Sequence, residues 1–187
     1  MTGDDFLALV RRRFSCRCYR PEPVPDNLLA QLLDAVQCAP SACNKQPWRL
    51  AIVSDEARRV RLCDEGLLPG MQRPWIRGAP VLMVLGVART TVTHRLAPLF
   101  SGIDYPALDL GIAGEHLVLQ ATALGLGTCW IGWIRPPAVR RIVDWPRSVQ
   151  PVSLISVGWP AESAESHPTG RKPVLDWATG LNIKKTV

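Results

Sequence analysis

The stretch from Asp104 to Leu124 limits what this chain can fold into more than any other segment. It reads as one uninterrupted helix, with Leu108, Ile112, Leu119 and Ala123 marking one face. Leu117, Val118, Ala121 and Leu124 carry apolar character nearly all the way round it. At 1.5 Å of rise per residue the helix is roughly 30 Å long, about the diameter of a small domain. A helix apolar on every side is buried at the centre of its own domain or against a partner chain. It is not a membrane span, because Gln120, Thr122 and Gly125 interrupt the apolar run over Leu117–Leu126, well short of the ~18 residues needed. Gly125 and Gly127 follow as stop signals.

Around this helix, strand and helix patterns alternate with no repeat and no break in composition. That predicts a single domain over all 187 residues. Thr2 and Asp5 form a capping-box pair that opens a helix to about Arg13, with Phe6, Leu9 and Val10 inward. Pro21, Pro23 and Pro25 enforce an extended link. Asp26–Cys38 is amphipathic, with Leu28, Leu32 and Val36 at four-residue spacing and Leu29 and Leu33 widening the stripe; Pro40 ends it. Trp48–Val53 reads as a strand, Asp55–Cys63 as a helix and 64–78 as loop. Pro80–Val87 is a near-continuous apolar run that fits a strand covered on both faces. Residues 89–103 read as an excursion, Thr128–Trp133 as a strand, Pro136–Val143 as a helix and Val152–Gly158 as a last strand. The tail, about 161–187, is too polar for a core, and its expected place is against another subunit.

Charge and cysteine content narrow the function classes. The net charge of +6 is concentrated in Arg11, Arg12, Arg13, Arg17 and Arg20. These bases are not interleaved with aromatics, as a nucleic-acid stripe would be, and such a cluster at a helix end equally suits one phosphate monoester. Cys16, Cys18, Cys38, Cys43, Cys63 and Cys129 show no paired C-x-x-C spacing, and His94, His116 and His167 are scattered. The expectation is free thiols and no metal site. The N-terminus places acids before bases and lacks an apolar run after them, the reverse of a secretory signal, which predicts a cytoplasmic protein.

Four segments carry candidate chemistry, each beside a bland alternative. In Arg13-Phe14-Ser15-Cys16-Arg17 two guanidinium groups flank a hydroxyl and can surround phosphate oxygens; solvated arginines at a helix exit are the alternative. In Pro40–Trp48, PSACNKQPW, the residues Ser41, Asn44 and Gln46 offer donors and acceptors suited to the edge of a planar heterocycle; a turn that satisfies its own backbone is the alternative. In Gly125–Gly132, GLGTCWIG, the glycines permit close backbone approach, or merely stop a helix. It is no dinucleotide fingerprint, since no third glycine or helix follows. Gly170-Arg171-Lys172-Pro173 returns positive charge late in the chain, or is a basic tail.

In this order the four segments resemble the nitroreductase family of FMN-dependent oxidoreductases. The likeness runs from RRRFSCRCYRPEPVP through PSACNKQPW and the long-helix stretch to SLISVGWPAE and GRKP. It implies an α+β fold: a central mixed, mostly antiparallel sheet flanked by helices, with the long central helix at the interface of a homodimer that shares two FMN sites. It implies that Arg13, Ser15 and Arg17 contact the FMN phosphate and ribityl chain, joined by Arg171 or Lys172. Phe14 stands where many relatives carry a polar or basic residue, and contributes its backbone. Pro40, Ser41 and Asn44, in one segment with Ala42 and Gln46, are expected to reach the isoalloxazine ring from the other subunit. The backbone of Cys129, Trp130, Ile131 and Gly132 approaches the ring from its own side. Gln72 is a further candidate in the divergent 64–78 stretch.

The resemblance also implies a ping-pong reaction. NADH or NADPH delivers hydride to flavin N5, then leaves, and a nitroaromatic, quinone or similar small acceptor takes its place. The flavin carries the chemistry, so no protein group is expected to act as acid, base or nucleophile. Glu115 and His116 read as polar positions in a helix contact, and Cys129 as a thiol without a base to activate it. A dehydrogenase, oxidase or flavin-consuming enzyme of the same fold is the nearest rival; a nucleic-acid-binding domain is the remote one.

Overall fold

A computed structural model of the chain describes residues 2–88, 102–162, 164 and 170–172. The elements are α1 (Gly3–Arg12), α2 (Asp26–Gln37), a 3-10 turn (Ala42–Asn44), β1 (Trp48–Val53), α3 (Glu56–Asp64), α4 (Pro74–Arg77), β2 (Val81–Ala88), α5 (Tyr105–Ala123), β3 (Gly127–Ile131), α6 (Pro136–Ile142) and β4 (Val149–Gly158). The excursion expected at 89–103 and the tail from 161 lie largely outside the described residues.

The four strands form one sheet in the order β1-β2-β4-β3, every neighbouring pair antiparallel. Among the described residues, the parallel character expected of a mixed sheet is a single bridge between Ser15 and Thr128. With helices around it, the architecture is α+β, as expected.

β2 shows why the apolar run at 80–87 is continuous. All eight of its residues are buried. Val81, Met83, Leu85 and Val87 pack with Leu32 and Val36 of α2 and with Leu110, Leu117 and Ala121 of α5. Leu82 and Val84 pack on the other face with Leu62 of α3, Ile76 of α4 and Val139 and Ile142 of α6. Alternate side chains of a strand point to opposite faces, so a strand covered on both needs apolar residues throughout.

α5 lies in the first of these layers, and its ends follow the expected chemistry. The Asp104 carboxylate accepts the Ala107 N–H. At the other end Gly125 adopts φ 78°, which glycine reaches without strain. Gly125 N–H donates to the Thr122 carbonyl at 3.2 Å and Leu126 N–H to the Ala121 carbonyl at 2.8 Å, with Leu126 buried. That is a Schellman stop.

Which side of α5 faces the core differs from expectation. The buried residues are Pro106, Asp109, Leu110, Ala113, Gly114, Leu117, Val118 and Ala121. Leu108, placed on the marked face by spacing, is 55% exposed, and Ala123 is exposed too. When nearly every position is apolar, periodicity has too little contrast to orient a helix. α1 differs likewise. Its capping box is present, with Thr2 N–H donating to Asp5 Oδ2 at 2.7 Å and Asp5 N–H to Thr2 Oγ1 at 3.2 Å. Yet none of its residues is buried, and Phe6 and Val10 are 47% and 37% exposed. Its apolar face is a real amphipathic face, but one that the described residues leave largely exposed.

Smaller boundaries shift as well. Residues 64–78 hold the short helix α4 and a bridge between Leu67 and Ile134. β3 stops at Ile131, and β4 starts at Val149. Among the described residues no helix is long and apolar enough to cross a membrane.

Candidate functional site

Among the described residues, order in the sheet makes β3 an edge strand, so one side of its backbone has no strand partner there. The Arg13–Arg17 segment crosses that side. Cys16 N–H donates to the Thr128 carbonyl at 2.9 Å, beside the Ser15–Thr128 bridge. The contact is close: a Cβ added at Gly127 would stand 2.7 Å from the Cys16 Cβ and Sγ. Gly127 is therefore needed for packing, and here the GLG pattern meets the arginine segment.

Tyr19 fastens the segment from below. Its hydroxyl donates to the Cys16 carbonyl at 2.8 Å and shares a 2.7 Å hydrogen bond with Ser156 of β4. Ser156 in turn donates to the Cys129 carbonyl at 3.4 Å. Burial pushes the Tyr19 pKa well above the usual phenol range, so it stays a neutral donor.

The three polar residues of the segment converge on Cys129. Burial pushes the Cys129 thiol up, while the Arg17 guanidinium, the Ser15 hydroxyl and the Arg13 guanidinium pull it back. The thiol remains protonated at neutral pH and is a poor nucleophile. Among the described residues, neither Arg13 nor Arg17 forms a salt bridge. Arg13 lies within electrostatic reach of Glu115, whose carboxyl is pushed up by desolvation and held down by that arginine. Arg17 stacks over the Trp75 ring, 5.8 Å from its centre. This brings α4, and with it the 71–75 stretch that contains Gln72, to the same end of the site. Gln72 itself is exposed and accepts the Gly70 N–H at 3.1 Å.

Two guanidinium groups without a salt bridge among the described residues, together with the Ser15 hydroxyl, make a donor-rich group beside β3. Its chemistry fits a phosphate monoester. Arg171 and Lys172 are exposed, and no hydrogen bond or ion pair among the described residues joins them to this set.

Along β3, Cys129 and Ile131 are buried while Trp130 is 38% exposed. The Trp130 indole lies on α5, filling the space where a side chain at Gly114 would be. Beyond β3, Gly132 and Trp133 are exposed, and the Trp133 carbonyl accepts the Leu68 N–H at 3.0 Å.

The Pro40–Trp48 segment forms a separate group. Ser41 Oγ accepts the Gln46 N–H at 2.9 Å, and Gln46 Nε2 donates to Asn44 Oδ1 at 2.9 Å. In the single chain these three polar residues thus bond to one another, as the turn alternative predicts. The turn is unusual in its backbone. Cys43, Asn44 and Gln46 all have φ near +50°, at 52°, 52° and 46°. For residues other than glycine this region costs of order 1 kcal/mol or more each, and such strain gathers at functional sites. Pro40, Asn44 and Gln46 are exposed, and Ser41 and Ala42 half-buried.

Sequence reasoning passed over three residues that build this site. Tyr19 and Thr128 act through long-range bonds that no local pattern announces. Asp109 did carry a signal: it is the lone acid on the buried side of α5, where charged residues are rare. Its carboxylate accepts the Ala42 N–H at 3.0 Å. His116 bonds the Ala35 carbonyl at 3.1 Å through Nδ1, a helix contact as expected. Among the described residues no group of acidic, histidine and cysteine side chains could hold a metal ion.

The nitroreductase family model matches residues 10–68 and 63–159. The chain belongs to the nitroreductase family, and is an oxidoreductase. It is 32% identical over 170 residues to an FMN reductase [NAD(P)H] of Bacillus subtilis, covering 82% of this chain and 65% of that enzyme. It is 29% identical over 192 residues to the 5,6-dimethylbenzimidazole synthase of Rhodospirillum rubrum, covering 93% and 89%. Among solved structures, NfrA2 of B. megaterium superposes with a TM-score of 0.80 at 28% identity, over 100% of this chain and 77% of that one.

Proposed function

We propose that the chain is an FMN-dependent oxidoreductase that draws electrons from NADH or NADPH and passes them to a small acceptor such as a nitroaromatic or quinone, in two successive half-reactions at one site. The observation that carries this reading is that Arg13, Ser15 and Arg17, the two arginines without a salt bridge among the described residues, are held together beside β3 by the Ser15–Thr128 bridge. The FMN reductase of Bacillus subtilis supports the choice of cofactor and donor. When bound, FMN supplies the hydride acceptance and electron release that protein side chains lack.

The residues divide the work. Arg13, Ser15 and Arg17 hold the phosphate, with Arg171 or Lys172 adding charge. The backbone of Cys129, Trp130, Ile131 and Gly132 lines the flavin from its own chain. Pro40, Ser41, Ala42, Asn44 and Gln46 come from a second copy, which also covers α1. Phe6, Leu7 and Val10 of α1 and Leu108 of α5 are the apolar surface such a copy would bury.

The direct test is colour. The purified protein is expected to be yellow, to bleach anaerobically with NADH or NADPH, and to regain colour when a nitroaromatic or quinone is added. A colourless protein that takes up no FMN on titration would overturn the reading. Asn44→Ala is expected to keep the flavin but alter its absorbance band and slow its reduction about fivefold, the effect of one lost hydrogen bond of roughly 1 kcal/mol. Stopped-flow reduction measures it.

The near full-length likeness to 5,6-dimethylbenzimidazole synthase favours one second reading, an enzyme that consumes its flavin. FMN binding and reduction without turnover of any nitroaromatic or quinone, followed by loss of the flavin in air, would favour that reading.

A further inference from the structure

The 41–46 turn holds an unfavourable backbone, with left-handed φ at Cys43, Asn44 and Gln46. Strain of this kind persists only where the surroundings impose it. Most of the hydrogen bonds available to do so are internal. Asn44 N–H donates to the Ser41 carbonyl, Lys45 N–H to the Ala42 carbonyl, Gln46 N–H to Ser41 Oγ and Gln46 Nε2 to Asn44 Oδ1. Among the described residues, one hydrogen bond ties 41–45 to the body of the fold: Ala42 N–H to Asp109 Oδ1, 3.0 Å.

Asp109 is an odd residue to find there. It is 2% exposed, on the inner side of a helix that is otherwise packed by apolar side chains. Its second oxygen, Oδ2, is buried with no hydrogen-bond partner. Burying a carboxylate is unfavourable unless its oxygens are satisfied, and an orphaned buried oxygen calls for a specific reason. Among the described residues, its one hydrogen bond goes to the turn whose residues are proposed to reach the flavin ring.

We infer that Asp109 is a positioning residue that fixes the 41–46 turn, through Ala42 N–H, in the strained shape that presents Ser41 and Asn44 to the flavin ring. This rests on the flavin reading above. Asp109 does not touch the cofactor; it acts through the turn. Freed of it, residues 41–45 keep only bonds among themselves, and the left-handed backbone relaxes.

The experiment compares FMN binding and the flavin absorbance band of the wild type with Asp109→Ala, Asp109→Asn and Val118→Ala. Asp109→Ala is expected to raise the FMN dissociation constant at least tenfold and to alter the band, with an apoprotein that is still folded by circular dichroism. Asp109→Asn keeps an oxygen at the Oδ1 position and is expected to restore the band and bring affinity to within about threefold of the wild type. Val118→Ala truncates a buried residue of the same helix. It is expected to lower thermal stability while leaving the band unchanged, because a merely softened helix leaves the turn clamped.

If Asp109→Ala fails to fold, Ala42→Pro removes the donor instead of the acceptor. Position 42 opens the 3-10 turn, and Ser41 has the extended φ −146°, ψ 155° that a following proline accepts. It is expected to reproduce the altered band and weakened binding. An unchanged Asp109→Ala, an Asp109→Asn that does not rescue, or a Val118→Ala that shows the same spectral change would each overturn the inference while leaving the flavin reading intact. A wild type that takes up no FMN would overturn both.

Discussion

Arg13→Ala is expected to weaken FMN binding by about 10- to 100-fold while leaving the apoprotein as stable as the wild type. A charge-assisted hydrogen bond contributes roughly 1.5–3 kcal/mol, and each 1.4 kcal/mol is about tenfold in affinity. The stability half of the expectation follows from the lack, among the described residues, of a salt bridge at Arg13. Glu115 loses only a longer-range charge partner, so the change behaves as a surface substitution, within about 0.5 kcal/mol. Quenching of FMN fluorescence on titration into apoprotein measures the first half, and thermal melting the second.

Two comparisons sharpen this result. Arg13→Lys is expected to recover only part of the affinity, since an ammonium cannot offer a paired fork of N–H groups to phosphate. Arg17→Ala removes both a proposed phosphate donor and the stack on Trp75, so it is expected to lower apoprotein stability slightly, by about 0.5–1 kcal/mol. Unchanged affinity in both alanine variants would remove the phosphate from this end of the molecule.

The second large effect comes from glycines on α5, three residues apart. A methyl group at Gly114 would stand 2.2 Å and 2.5 Å from two carbons of the Trp130 ring and 3.2 Å from Leu85 Cδ2. Gly114→Ala is expected to displace the indole and destabilise the protein by about 1–3 kcal/mol. At this chain length each kcal/mol lowers the melting temperature by roughly 2–4 °C. The displaced indole should also shift tryptophan emission to longer wavelength.

Gly111 faces the exposed side of the same helix, with nothing within 4 Å of a Cβ placed there. In an isolated chain Gly111→Ala is expected to stabilise by about 0.5–1 kcal/mol, the difference in helix propensity. If a second copy lies against that stripe, the added methyl should instead weaken association in sedimentation. Melting and sedimentation of this one variant therefore test the dimer proposal.

The sequence made local features legible and left distant ones dark. The capping box at Thr2 and Asp5, the stop at Gly125 and the doubly covered strand at 81–88 each depend on residues close in the chain, and each was readable from spacing. The orientation of α5 was not, because apolar residues on all sides give no contrast. Phe6 and Val10 were read as inward from a correct amphipathic pattern, but a pattern cannot say whether the covering surface is the chain's own. Within the candidate site, Arg13, Ser15 and Arg17 were legible as a donor group. Their seat on Thr128, the Tyr19–Ser156 brace and the Asp109–Ala42 bond were not, since each joins residues far apart in sequence.

The Ser15–Thr128 bridge has a consequence for how the protein comes into being. More than half of the chain lies between its two ends. The β2–β4 and β3–β4 pairs that support it are completed only when Val149–Gly158 is available. Contacts of such long reach form slowly, because closing a large loop comes before any of its reward. During synthesis the arginine segment emerges before β3 and waits, without its supported strand, until β4 has left the ribosome. Assembly of the arginine segment on β3 is therefore a late event of folding, and a chain cut short before β4 would have the arginines but no surface on which to assemble them.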